Sequence, residues 1–314
     1  MNWHQIDLFY ELKSPVHIGY LPGKASVINP TRYYVPGRNF WGAYTKVLTE
    51  KLFDDPTPKN YYDVGSWFKN NVKFTYFYIY DGDSDNNPLL VPKYSDEGLK
   101  YGNMLVSQFQ NRYIGSLIST EVEPTTGTAK DESLHDIEFI RPKYQSKSGI
   151  KNTRIFGKMF IKKDFSKNEI TENIQVDTDG KITVDDEDPF KVIFVGGELN
   201  YGFGKIEKLD PSHIQPLELC FKFDMNSKDK VCIEHMDENP ILSHLWYSEK
   251  YQFCGDIELI SGRGYKENKD NQQRETHKKP GKRIAPSNLC FTPGTVVHKL
   301  EKVEIDYSGV WKLV

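Results

Sequence analysis

The chain has no long apolar run: across 314 residues with a mean hydropathy of -0.62, nothing approaches the roughly 18 residues of a membrane span. The N-terminal MNWHQIDLFYELKSP has no basic segment followed by an apolar one, so no secretory leader is expected. Cysteine is scarce. The four present (Cys220, Cys232, Cys254 and Cys290) are far apart and form no C-x-x-C pair. That spacing argues against a zinc site and leads to the expectation of a reduced, cytoplasmic protein without metal or cofactor. The nucleophile motif G-x-S-x-G is missing too. GELNYGFGK, beginning at Gly197, imitates a phosphate loop up to Lys205, but Ile206 stands where the hydroxyl residue is required. A dinucleotide fingerprint needs a helix after its glycines, and Pro211 arrives too soon for one.

Aromatic residues are plentiful, with 19 Tyr and 18 Phe, which favours strands and leaves ring faces for stacking. The net charge of -3 hides a segregated distribution. Arg141 to Lys163 holds eight basic residues and no acid, Ser166 to Pro189 eight acids against two lysines, and Arg263 to Arg283 a net charge of +5. Blocks of this kind make local basic surfaces or simply solvated loops. The acids of VDDEDP (184–189) read as a solvated loop in preference to a metal site.

Alternation in IDLFYEL puts Ile6, Leu8 and Tyr10 on one strand face. After a turn-rich stretch, Phe40, Ala43, Tyr44, Val47, Leu48 and Leu52 recur at helical spacing, with Gly37 or Asn39 as the cap. KFTYFYIY, LHDIEFI, RIFGKMFIKKDF and PFKVIFVGGEL read as strands, DTDGKITV as a hairpin, and 99–112 as a second helix. This mixture predicts an α+β fold with helices on one face of a sheet, a class that includes the ferredoxin-like motif. Residues 1–208 form the expected first domain. Residues 209–314 are expected to be β-rich, and a second, degenerate ferredoxin-like domain is one reading of them.

VGGELNYGFGKIE (195–207) carries four glycines, Gly196, Gly197, Gly202 and Gly204, within nine residues. Glycines supply positive φ at a tight turn, while Tyr201, Phe203 and Lys205 add stacking faces and a cation, a combination used to hold single-stranded RNA. The segment resembles the glycine-rich loop of the RAMP superfamily, the repeat-associated proteins of CRISPR effector complexes. YYVPGRNFWGAYTKVL (33–48) is similar to that family's proline-glycine helix start. TGTAKDESLHDIEFI (126–140) resembles the segment before a central strand in type III members, and the C-terminal GRGYKENK…KRIAPSNLCFTPGTVVHKLE is more loosely similar to the end of larger, cap-like members.

The resemblance implies a ferredoxin-like, RRM-like RNA-binding fold with CRISPR RNA as ligand. It also implies assembly with other RAMP subunits and a polymerase-like large subunit, with no membrane partner. The extra C-terminal region favours a cap subunit holding the 5′ tag of the guide over a backbone subunit. Arg32, Arg38, Asn39 and Lys46 around the first helix, then Arg141, Lys143 and Lys147, are the expected phosphate contacts. Trp41 is read as packing inward in preference to stacking on a base. Backbone subunits of the family cut RNA with an Asp in the first loop, but His17 to Gly37 contains no Asp or Glu, so no catalytic residue is expected. The alternative is metal-independent processing of repeat RNA by His17 with Tyr20 and Lys24, since a histidine titrating near neutrality suits proton transfer. A third reading is a module that binds protein partners only.

Overall fold

The computed structural model describes residues 1–19, 27–82, 88–120, 122–128, 135–165, 172–210, 221–234, 239–261, 263–264, 283–284 and 287–314. Tyr20, Lys24 and positions 265–282 of the basic insert lie outside the described residues. The fold is mixed α/β, and among the described residues no helix is long and apolar enough to cross a membrane.

The central sheet is built on β1 (Trp3–Leu12) and β4 (Arg154–Lys162), antiparallel from Trp3 opposite Lys162 to Glu11 opposite Arg154. Between them in sequence come α1 (Gly37–Leu52), α2 (Pro58–Asn71), β2 (Val72–Phe74), β3 (Tyr78–Tyr80) and α3 (Val106–Tyr113). After them come β5 (Val192–Phe194) and β6 (Lys205–Lys208). The spatial order is β5-β6-β1-β4-β2, with β3 also paired to β4 and every pairing antiparallel. Residues 73–80 form two short strands where the sequence predicts one. The chain leaves the ladder between them so that Phe77 can exchange backbone hydrogen bonds with Val35, 2.9 Å each way.

Alternation along β1 and β4 separates two faces. Leu8, Tyr10, Leu12, Ile155, Met159 and Ile161 pack under α1 and α2. There Phe40 stacks on Phe77 at 3.6 Å between centroids, and Tyr44 on Phe190 at 3.9 Å. Gly157 makes the first stack possible, because a Cβ at that position would stand 2.7 Å from the Phe77 ring. α1 starts after Pro36, whose side chain caps nothing, so neither Gly37 nor Asn39 is its N-cap. α2 begins at Thr57, which forms a capping box with Asn60 ahead of Pro58.

The opposite face carries Trp3, Phe9, Phe156 and Phe160 with Tyr76 and Tyr78, all buried. Over it lies a seven-stranded sheet formed by 222–313, with no helix among its described residues. In an RRM, bases stack on aromatics of the open sheet face; here that face is closed.

Candidate nucleic-acid interface

The turn between β5 and β6 contains four residues at positive φ: Gly196 (85°), Glu198 (56°), Gly202 (80°) and Gly204 (87°). A Cβ would stand 2.2 Å from the His17 carbonyl oxygen at Gly196, and 2.4 Å from that of Val195 at Gly204. Both positions therefore admit only glycine. The close approach lets backbone stitch to backbone: Gly197 N–H donates to His17 O (2.9 Å), Gly204 N–H to Pro15 O (2.7 Å) and Lys13 N–H to Lys205 O (2.9 Å). Lys205 N–H adds a bond to Ser14 Oγ at 2.9 Å. A short 3₁₀ turn at Leu199–Tyr201 then lifts Tyr201 into solvent, 57% exposed. Phe203 faces inward, edge-on to Phe139 at 5.4 Å, so its ring has no free face for a base.

The stitched segment continues into the strand His135–Ile140, where Val16 and Ile140 exchange backbone hydrogen bonds of 3.1 and 2.8 Å. His17 is buried, and its Nδ1 lies 2.7 Å from the Glu138 carbonyl oxygen. A carbonyl only accepts, so Nδ1 carries the proton there. This placement makes His17 a brace between the glycine turn and the strand.

Beyond Ile140 the chain enters the hairpin Lys143–Ser146/Gly149–Asn152, whose base is tied to β1 by Leu12 N–H to Thr153 O (2.9 Å). Tyr144 and Ser146 turn inward, while Arg141, Lys143 and Lys147 are exposed. The inner side is anchored by Tyr144, whose hydroxyl donates to Asp81 (3.2 Å) and whose ring lies 4.8 Å from the Arg112 guanidinium. Arg154, at the foot of the hairpin, is paired with Glu11 at 3.5 Å; the alternation around Ser-Lys-Ser-Gly was the signal that could have revealed this hairpin. The glycine turn, Ile140 just before Arg141, and the base of the hairpin are thus each tied by backbone hydrogen bonds to residues 12–17. Lys13, beside them, is neutralised by Glu11 (2.6 Å) and Glu207 (3.2 Å).

The other expected contacts are placed elsewhere. Arg32 is buried and forms a fork to Glu258, Nη1 to Oε1 at 2.7 Å and Nη2 to Oε2 at 3.1 Å. Its guanidinium points into the junction of the two sheets, a correction that sequence spacing did not foretell. Glu258 also accepts from His244 Nε2, and Tyr76 O–H donates to His244 Nδ1 at 2.7 Å. Burial pulls His244 down to about 4. Burial works against ionised Glu258, but the hydrogen bonds from His244 and Arg32 prevail and hold its carboxyl well below the usual range. Arg38 and Asn39 are half-buried at the start of α1. The turn at Ser308–Gly309 packs on that start, where a Cβ on Gly37 would stand 3.0 Å from Ser308 O. Lys46 faces solvent along α1, 3.9 Å from Glu50. Trp41 donates to Gly65 O (3.0 Å) and packs edge-on against Tyr307.

No protein-family profile matches the chain, and no curated protein matches its sequence. Among solved structures, the chain is similar to one in a cryo-EM structure of type III-B Cmr-beta bound to cognate target RNA. Identity there is 11%, coverage 94% of this chain and 86% of that chain, and the TM-score 0.47. It is also similar to a chain of Cmr-beta bound to cognate target RNA and AMPPnP, with 10% identity, coverage of 93% and 86%, and a TM-score of 0.44. A chain of apo Cmr-beta gives 9% identity, coverage of 68% and 99%, and a TM-score of 0.39.

Proposed function

We propose that this chain is a non-catalytic RNA-binding subunit of a type III-like CRISPR effector ribonucleoprotein. In this reading it holds the 5′ tag of a guide RNA and contacts neighbouring RAMP subunits and a polymerase-like large subunit. One observation carries it: the glycine turn, with its exposed Tyr201, and the base of the basic hairpin are both tied by backbone hydrogen bonds to residues 12–17. Lysines and arginines along such a surface track phosphates, while Tyr201 takes a base. The path strand–helix–strand–strand–strand, with β6, β1, β4 and β2 adjacent in that order, supports a ferredoxin-like first domain that has the α1–α2 pair on one face. The seal on the other face moves RNA from the sheet to its loop edge. The burial of His17 against Glu138 supports a holding role over general acid–base cleavage.

The test incubates the full chain with labelled repeat RNA in EDTA across a salt series. Binding without cleavage is expected, with affinity falling steeply as salt rises. Products ending in a cyclic phosphate, lost in His17→Ala, would overturn the non-catalytic reading. Absence of salt-dependent binding, alone and in the assembled complex, would leave a module that binds protein partners only.

A further inference from the structure

A second recess opens away from this surface, at the junction of the two sheets. It is a cleft of about 290 Å³, below the usual range for drug-sized ligands and suited to one side chain or one base. Tyr33, Tyr94 and Tyr101 line it on the first-domain side, and Asp256, Glu258 and Thr292 on the other. Tyr101 is held firmly, its ring 4.4 Å from Phe109, and Tyr33 stacks on Phe109 at 5.4 Å. The Tyr33 hydroxyl accepts from Gln110, which fixes the ring at the wall of the recess.

The charges decide what fits. Arg32 and Glu258 both line the cleft but neutralise each other through their fork. Two further carboxylates remain, Glu138 and Asp256. Glu138 accepts from Thr31 N–H through Oε2 (3.2 Å), and Asp256 from Ile257 N–H through Oδ1 (2.8 Å), so each is positioned by backbone on one oxygen. Neither has a cationic partner among the described residues. We infer that the cleft is a receptor for a guanidinium group, an arginine side chain presented by a neighbouring protein. Aromatic faces attract a planar cation, and a fixed carboxylate takes its forked donors. A nucleobase would bring its phosphates toward these acids, which disfavours RNA as the occupant. The inference stands independently of the RNA-binding proposal.

The experiment titrates the full chain with N-acetyl-arginine amide while following tyrosine ring resonances by NMR. The expected result is a saturable, salt-sensitive shift, with the half-saturation point at least tenfold higher in the Glu138→Gln/Asp256→Asn double variant. Tyr94→Ala is expected to weaken the same titration, and circular dichroism checks that each variant folds. N-acetyl-norleucine amide should move nothing. Three outcomes overturn the inference: no saturable shift with the arginine probe, stronger shifts with guanosine or adenosine monophosphate, or equal shifts with spermidine.

Discussion

On its helix side the central sheet buries Leu8, Leu12, Ile155, Met159 and Ile161 with stacked rings, and the polar groups there are few. Its tyrosines pair with each other, Tyr10 and Tyr44 sharing a hydroxyl hydrogen bond of 2.7 Å. On the opposite side the rings carry polar handles into the second sheet. Tyr78 O–H donates to Leu242 O (2.8 Å), Tyr76 to His244, and Trp3 N–H to Ser227 O (3.0 Å). Lys158, buried on this side, pairs with Asp7. The contrast teaches that the helix side is held mainly by apolar packing, its few buried hydroxyls bonded to one another or to nearby carbonyls. The joint between chain segments far apart in sequence adds directional bonds that fix one orientation of sheet on sheet.

The largest effect is expected on the dry side. Phe77→Ala removes the ring between Phe40 and Gly157 and should cost about 3–5 kcal/mol in urea unfolding. A smaller loss would mean that α1 collapses onto the sheet and that this core is less rigid than described. Next comes the joint: Glu258→Gln leaves the buried Arg32 without its counter-charge and should cost about 3 kcal/mol. Arg32→Met added to it should recover part of that loss, a coupling readable from a double-mutant cycle.

Acidification provides a third, milder test. The folded state holds His244 neutral down to about pH 4, whereas an unfolded histidine protonates near 6.5. The unfolded chain therefore binds the extra proton between these values, so stability is full above pH 6.5 and falls as pH drops toward 4. The expected loss is about 2–3 kcal/mol, and His244→Gln should flatten the curve. Glu258, with its carboxyl held low, adds a loss in the same direction at still lower pH, where the unfolded chain protonates first. The smallest effect on stability belongs to the exposed surface: Lys143→Ala and Lys205→Ala should each shift it by less than about 0.5 kcal/mol. Each should nevertheless lower the salt slope of RNA binding by about 1 if it contacts a phosphate.

The same contrast explains what the sequence disclosed. β1 and β4 are buried on both faces and their long apolar runs mark them as strands, while in α1 the helical spacing of apolar residues marks both type and face. The hairpin at 174–184 was equally legible because its Asp-Gly step is local chemistry. α2 was missed although Thr57-Pro58 is a readable helix start, and residues 73–80 read as one strand because both faces are apolar. At the interface, the glycine turn and the run of exposed lysines were legible in composition. The inward turn of Phe203 and the pairing of Arg32 with Glu258 were not. Both depend on partners brought from 64 and 226 positions away, Phe139 and Glu258, and no local pattern records those encounters.

The stitching of the glycine turn to residues 13–17 also sets a timetable for synthesis. β1 finds one neighbour only when Arg154–Lys162 has emerged, and the other at Lys205–Lys208, nearly 200 residues after its own translation. At ~5–20 residues per second, about 10–40 s pass before both edges of the first strand can be paired. The proposed RNA surface cannot exist on the nascent chain before that moment. Under the proposed reading, RNA binding would begin only on chains whose central sheet is complete.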